Sequence, residues 1–88
     1  MTEERGLEDL RAELDALDAQ LFEAVAARGR IVKAIGHLKR DSGQAVFDRA
    51  RERIVVDRHL AHGEAAGLTA SESRMISRAV LALSLIHI

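Results

Sequence analysis

The sequence predicts an all-α fold of three helices per chain, with a very long first helix that associates with a second copy. Hydrophobic residues make up 48% of the 88 residues but aromatic residues only 2%, so the core is built from Leu, Ile, Val and Ala, which suit helix-on-helix packing. There is no proline to break a helix. So small a chain with so few aromatic residues has little core of its own, which favours association with a second copy.

A heptad pattern predicts the first helix over residues 8–40. No proline or turn cluster interrupts this segment, and at 1.5 Å per residue its roughly 33 residues span about 50 Å. A helix of that length needs a partner along it. The apolar seam, interrupted only by Arg28, consists of Leu7, Leu10, Leu14, Leu17, Leu21, Ala24, Ile31, Ile35 and Leu38.

The segment 41–44, DSGQ, predicts the end of the first helix. Gly43 can adopt the left-handed backbone conformation that is common just after a helix. Asp48 is the predicted N-cap of a second helix over residues 49–62.

The third helix is predicted to begin at about Ala70, after a loop over residues 62–67, and to run to the end of the chain. Thr69 and Glu72 have the spacing of a capping box, in which each side chain bonds to the other residue's backbone N–H. The predicted inner face of this helix carries Met75, Ile76, Val80 and Leu83.

Composition excludes several classes of protein. A formal net charge of -1 argues against a nucleic-acid binder, and the absence of cysteine excludes disulfides and thiolate chemistry. The acidic N-terminus is unlike a signal peptide, and no apolar run is long enough to cross a membrane. We therefore expect one cytoplasmic domain, residues 1–88, without nucleic-acid or membrane partners.

Charged side chains lie on the apolar faces of the predicted helices. Arg28 and Lys39, eleven residues apart, point to one side of the first helix. Taken singly, each such residue is more often a surface cation, a cap or half of an ion pair. Together, an excess of inward positive charge requires an anion, and arginine pairs well with carboxylates. The remaining residues expected near this interior are Arg11, Asp48, Arg51, Glu52, His59 and Ser84.

Three segments in this order resemble the all-helical class of chorismate mutase: LRAELDALDAQL (10–21), RGRIVKAIGHLK (28–39) and VFDRARERIV (46–55). The resemblance extends from Leu7 to about Ser84. It implies three helices per chain in an intertwined homodimer with two shared active sites. The implied reaction is the rearrangement of chorismate to prephenate, on the route to phenylalanine and tyrosine, without a metal or cofactor.

The resemblance also implies roles for the cations. Arg11 would reach across from the partner chain to one substrate carboxylate, and Arg28 would hold a carboxylate in its own chain's site. Lys39 would donate a hydrogen bond to the ether oxygen, where negative charge grows in the transition state, and to a carboxylate. Arg51 would support the site through Asp48.

The remaining implied site residues are polar, with one exception. Asp48 and Glu52 would bind the substrate hydroxyl, Glu52 most directly. Ser84 would lie near a substrate carboxylate. Position 88, where the family usually has Gln or Glu, is Ile88. The apolar tail 85–88 indicates a truncated end or unrelated coding sequence, so we expect reduced rather than absent activity.

Other functions remain open from the sequence. An isochorismate pyruvate lyase or an aminodeoxychorismate mutase would share this fold and much of the cation set, although Asp48 and Glu52 favour chorismate. In a non-catalytic helical dimerisation or regulatory module, the apolar seam would serve only to pair two copies. Against this alternative, burying several cations in such an interface is unfavourable because each loses its hydration. His59 and His62 are three residues apart without an evident third ligand, so a metal site is not expected.

Overall fold

A computed structural model describes residues 6–43 and 49–87 of the chain, with side chains described for 6–43 and 49–84. It contains α1 (Leu7–Asp41), α2 (Arg49–Ala65) and α3 (Ala70–His87). No strand occurs within these ranges. The prediction of an all-α fold with a very long first helix is confirmed.

The long helix α1 ends where the sequence predicts. Gly43 has a φ of 75°, in the left-handed region. The backbone N–H groups of Ser42 and Gly43 donate to the carbonyls of Leu38 and Arg40, each at 3.1 Å. These bonds satisfy carbonyls that the last turn of a helix leaves without an intrahelical partner.

The second helix continues past its predicted end at residue 62, to Ala65. Gly63, which falls in the loop predicted over residues 62–67, lies inside the helix. A Cβ added to it would stand 2.7 Å from the Ser73 Cβ. Glycine is therefore needed there for the close approach of α3. The turn comes later, at Gly67 with a φ of 84°, and the Leu68 N–H donates back to the Gly63 carbonyl at 2.9 Å.

A capping box begins α3, as predicted. The Glu72 N–H donates to Thr69 Oγ1 at 3.0 Å, and the Thr69 N–H donates to the Glu72 carboxylate at 2.9 Å. The two bonds satisfy N–H groups that the first turn leaves free. The backbone and side-chain hydrogen bonds of Thr69 also lower the pKa of Glu72, because they favour its charged form.

Helix α3 packs against both α2 and α1, whereas α1 and α2 make no close approach to each other in the described ranges. The inner face predicted for α3 is largely wrong: Met75, Ile76 and Leu83 are exposed, and only Val80 is half-buried. The face of α3 that contacts α2 and α1 instead consists of small polar side chains. The apolar side chains of α3 lie on a neighbouring face, where a single chain offers nothing for them to pack against. The buried side chains of α3 are Ser73, Ser77 and Ser84.

A single chain leaves much apolar surface uncovered. No hydrophobic side chain is fully buried in the described residues, and the seam of α1 is exposed throughout, with Leu17 at 55%. The accessible surface is 7389 Å², whereas a compact monomer of 9.6 kDa exposes about 5,100 Å². The radius of gyration is 17.2 Å, against about 12 Å for a compact domain of this length.

Candidate active site

One hydrogen bond joins α1 to α3 at the residue that interrupts the apolar seam. Arg28 Nη1 donates to Ser84 Oγ, and the Ser84 hydroxyl donates to the Val80 carbonyl at 3.0 Å. Ser84 is buried, as its position in the sequence predicts, and Arg28 is half-buried. Since a guanidinium has five N–H donors, this bond orients Arg28 while leaving others for an anion.

The space beside this pair is small within one chain. A cleft lined by Arg28, Gly29, Val80 and Ser84 encloses about 20 Å³, which is room for about one water molecule. A dicarboxylate ligand is far larger. Within the described part of a single chain, the Arg28–Ser84 pair therefore forms one wall of a site rather than a closed pocket.

Two contacts define how α2 lies along α3. Gly63 allows the close approach of Ser73, and His59 Nδ1 lies 2.7 Å from Ser77 Oγ. Each step of four residues backwards along α2 matches a step of four forwards along α3, so the two helices are antiparallel in a defined register. Both contacts join small or polar side chains, which permits close packing without a large apolar residue.

The same register, continued along both helices, brings Glu52 of α2 to the level of Ser84 on α3. From His59 and Ser77, a step of three residues along each helix puts Val56 level with Val80, and a further step of four puts Glu52 level with Ser84. Glu52 is half-buried, as predicted for its face of α2. Glu52 of α2 is thus level with the residue of α3 that binds Arg28 of α1, while the cleft beside Arg28 and Ser84 is lined by residues of α1 and α3.

Lys39 lies further along α1 than this cluster. It is three turns from Arg28, about 16 Å along the helix axis, and both residues are half-buried on the side that the spacing predicts. Long cationic side chains at that separation can converge on a ligand lying between them, but not on each other.

Arg11 is remote from the other candidate residues of its own chain. Seventeen residues of α1 separate it from Arg28, about 25 Å. Its side chain is 63% exposed and forms a surface ion pair with Glu8 at 3.2 Å, an interaction that contributes little to stability. Arg11 cannot join the Arg28–Ser84 pair of the same chain.

The cations do not enclose an interior within the described part of one chain; the sequence predicts such an interior between two associated copies. Arg51, predicted near the core boundary, is exposed, as is Arg11. Asp48 and Ile88, two further predicted site residues, lie outside the described residues.

His59 is a polar contact residue to which the sequence analysis assigned no function. Burial, followed by the charges of Arg28 and His62, lowers its pKa and so favours the neutral imidazole. Its place on the same face as Glu52 was visible in the sequence, as was the spacing of the α3 serines. Its side-chain partner Ser77, eighteen residues further along the chain, was not predictable from the sequence. No group of three potential metal ligands occurs in the ranges 6–43 and 49–87.

The chain matches the family model "Chorismate mutase type II" over residues 10–87. It is 33% identical over 64 residues to the T-protein of Haemophilus influenzae, covering 73% of this chain and 17% of that protein. It is 35% identical over 54 residues to the intracellular chorismate mutase of Mycolicibacterium smegmatis, covering 61% and 52%. The corresponding Mycobacterium tuberculosis protein is 36% identical over 53 residues, covering 60% and 50%.

The matched segment is thus about half the length of the intracellular chorismate mutases and a smaller part of the T-protein. No solved structure matches the chain significantly. Within the described ranges, every helix is too short or too polar to span a bilayer.

Proposed function

The chain belongs to the chorismate mutase type II family, and from this premise we propose that it converts chorismate to prephenate in phenylalanine and tyrosine biosynthesis. The single observation that carries the proposal is the Arg28–Ser84 hydrogen bond. The register of α2 on α3 supports it by bringing Glu52 to the level of Ser84. Chorismate has two carboxylates, a ring hydroxyl and an ether oxygen. An oriented guanidinium and a neighbouring carboxylate suit the first two groups.

The proposed mechanism needs no proton transfer or covalent intermediate. Arg28, oriented by Ser84, holds a substrate carboxylate through its remaining N–H donors. Glu52 accepts a hydrogen bond from the substrate hydroxyl. The carbon–oxygen bond breaks ahead of carbon–carbon bond formation, so negative charge grows on the ether oxygen. Lys39 donates to that oxygen and stabilises the transition state more than the ground state.

We further propose that the functional unit is a homodimer. The excess of accessible surface over a compact monomer, about 2,300 Å² per chain, is of the size that obligate interfaces bury. The exposed seam of α1 supplies an apolar stripe for pairing with the same stripe of a second copy.

Shared sites follow from this arrangement. An antiparallel pair of α1 helices centred near residues 19–20 places Arg11 of one copy level with Arg28 of the other. The second copy then supplies the cation that is about 25 Å away within one chain, and adds a wall to the open cleft. Each dimer carries two such sites.

A cytoplasmic location is part of the proposal. Two of the relatives described above are named as intracellular chorismate mutases. The net charge of -1 gives no support for a nucleic-acid partner.

The direct test is incubation of the purified chain with chorismate, with prephenate measured as product. A parallel incubation with isochorismate, with pyruvate measured, distinguishes a lyase of the same fold. We expect prephenate formation, and a loss of about 10²–10³ in kcat/KM for Arg28→Ala.

Arg30→Ala is the matched control, because Arg30 is an exposed cation two residues further along the same helix. It should retain wild-type kcat/KM. Absence of prephenate, or equal activity of the Arg28→Ala and Arg30→Ala variants, would contradict the proposal.

A further inference from the structure

The contact between His59 and Ser77 lies outside the proposed substrate contacts. Ser73 and Ser84 donate their hydroxyls to carbonyls one turn earlier in the chain, at 2.9 and 3.0 Å. The Ser77 hydroxyl is instead paired with His59 Nδ1 of α2 at 2.7 Å. Ser77 is only 3% exposed, so this pair is a buried polar link between two helices.

Ser77 and Ser84 are two turns apart on one face of α3, about 10 Å along the axis. One binds the side chain of α2's His59 and the other the side chain of α1's Arg28. Helix α3 thus holds both neighbouring helices through polar contacts on the same face. Val80 lies between the two contacts and lines the cavity beside each.

We propose that His59 is a positioning residue of the active site: its hydrogen bond to Ser77 sets the register of α2 on α3 and so holds Glu52 level with Ser84. The inference rests on the proposed function only for the role of Glu52 with substrate. The register itself follows from the contacts. The close approach of Gly63 and Ser73 brings the helices together, and the hydrogen bond adds a directional constraint at position 59 that an apolar side chain would lack.

The charges around His59 make this link sensitive to acid. The charges of Arg28 in α1 and of His62 in its own helix act on it, and α3 presents the hydroxyl of Ser77. Burial and these two groups hold its pKa below the ordinary value of 6.5. Protonation of His59 adds a charge that the charge of Arg28 opposes, so the arrangement should weaken only as pH falls below 6.5.

Three variants test the role of His59 in catalysis. His59→Leu removes the polar partner, His59→Asn keeps a polar atom near the Nδ1 position without a titratable group, and His37→Asn changes an exposed histidine of α1 as the control. At pH 7.5 we expect kcat/KM to fall about tenfold for His59→Leu, the equivalent of one hydrogen bond. His59→Asn should stay within about threefold of wild type.

The pH profile separates positioning from a general structural effect. Wild-type kcat/KM should decline below pH 6.5, and His59→Asn should lose that part of the decline while His37→Asn retains it. Equal impairment of the Asn and Leu variants, or an unchanged acid limb in His59→Asn, would overturn the proposal.

A second measurement does not depend on activity. Since the chain has no cysteine, Val56→Cys with Val80→Cys places a single thiol pair at matched levels of α2 and α3, and oxidation reports the register. Crosslinking should be efficient when position 59 is unchanged or carries His59→Asn, and several-fold lower with His59→Leu. Equal crosslinking in all three refutes the register claim, whereas an inactive wild type with the expected crosslinking refutes only the proposed reaction.

Discussion

Arg28 Nη1 donates a hydrogen bond to the hydroxyl of Ser84, 56 positions later in the chain. The bond occurs where the apolar seam of α1 is interrupted, and it accounts for the interruption: a leucine there could not bond to the buried serine. The same contact turns a flexible cation into an oriented one.

Removing the Ser84 hydroxyl should weaken substrate binding at the proposed site while leaving the positive charge of Arg28 in place. Ser84→Ala leaves Arg28 in place but free to rotate, so we expect kcat/KM for chorismate to fall about tenfold, the equivalent of one hydrogen bond. In a double-mutant cycle, Arg28→Ala and Ser84→Ala should be strongly non-additive. Ser71→Ala, at an exposed position of α3, is the control, and additive losses would argue against coupling.

Mixing two inactive variants should restore activity if sites are shared between copies. In a heterodimer of Arg11→Ala and Arg28→Ala chains, one site carries both defects and the other carries neither. Refolding an equal mixture should therefore recover about one quarter of wild-type sites, measured as prephenate formation. Each variant refolded alone is the control, and an inactive mixture would exclude shared sites.

Gly63→Ala should destabilise the protein although alanine favours helices. The added Cβ would stand 2.7 Å from the Ser73 Cβ, and overpacking of this kind costs about 1–3 kcal/mol. Gly29→Ala is the matched control, since nothing lies within 4 Å of its added Cβ, and it should gain about 0.5–1 kcal/mol. Chemical denaturation measures both, and equal effects would contradict the close α2–α3 approach.

The capping box should make stability depend on pH in the acid range. Hydrogen bonds from Thr69 lower the pKa of Glu72 from its ordinary 4.5, so its contribution is present above that value and is lost as pH falls through the lower folded-state pKa. We expect Glu72→Gln to flatten the acid decline of the melting temperature. Glu64→Gln, at an exposed position of α2, should leave the decline unchanged. A decline as steep in Glu72→Gln as in wild type would contradict the prediction.

Features that depend on neighbouring residues were predictable from the sequence. The end of α1 at Gly43 and the capping box of Thr69 and Glu72 involve groups three or four residues apart, so the local spacing contains the required information. The inward position of Ser84 likewise follows from helical periodicity. The family resemblance, confirmed by the match over residues 10–87, rests on the same ordered segments.

Features that depend on contacts between residues far apart in the chain were not predictable from the sequence. The sequence predicts a loop over residues 62–67, but α2 runs on to Ala65, and Gly63 is required by the close approach of Ser73 on another helix. Both pairs, Arg28 with Ser84 and His59 with Ser77, also join residues on different helices.

By itself, the sequence determined the three helices, their local start and stop signals and the family to which the chain belongs. Only the tertiary structure decided which face of α3 is buried and which residues meet across it. The physical reason is that helical periodicity specifies directions around each axis but not the register between two axes. That register is set by close approaches such as Gly63 with Ser73, which become visible only when the helices are packed.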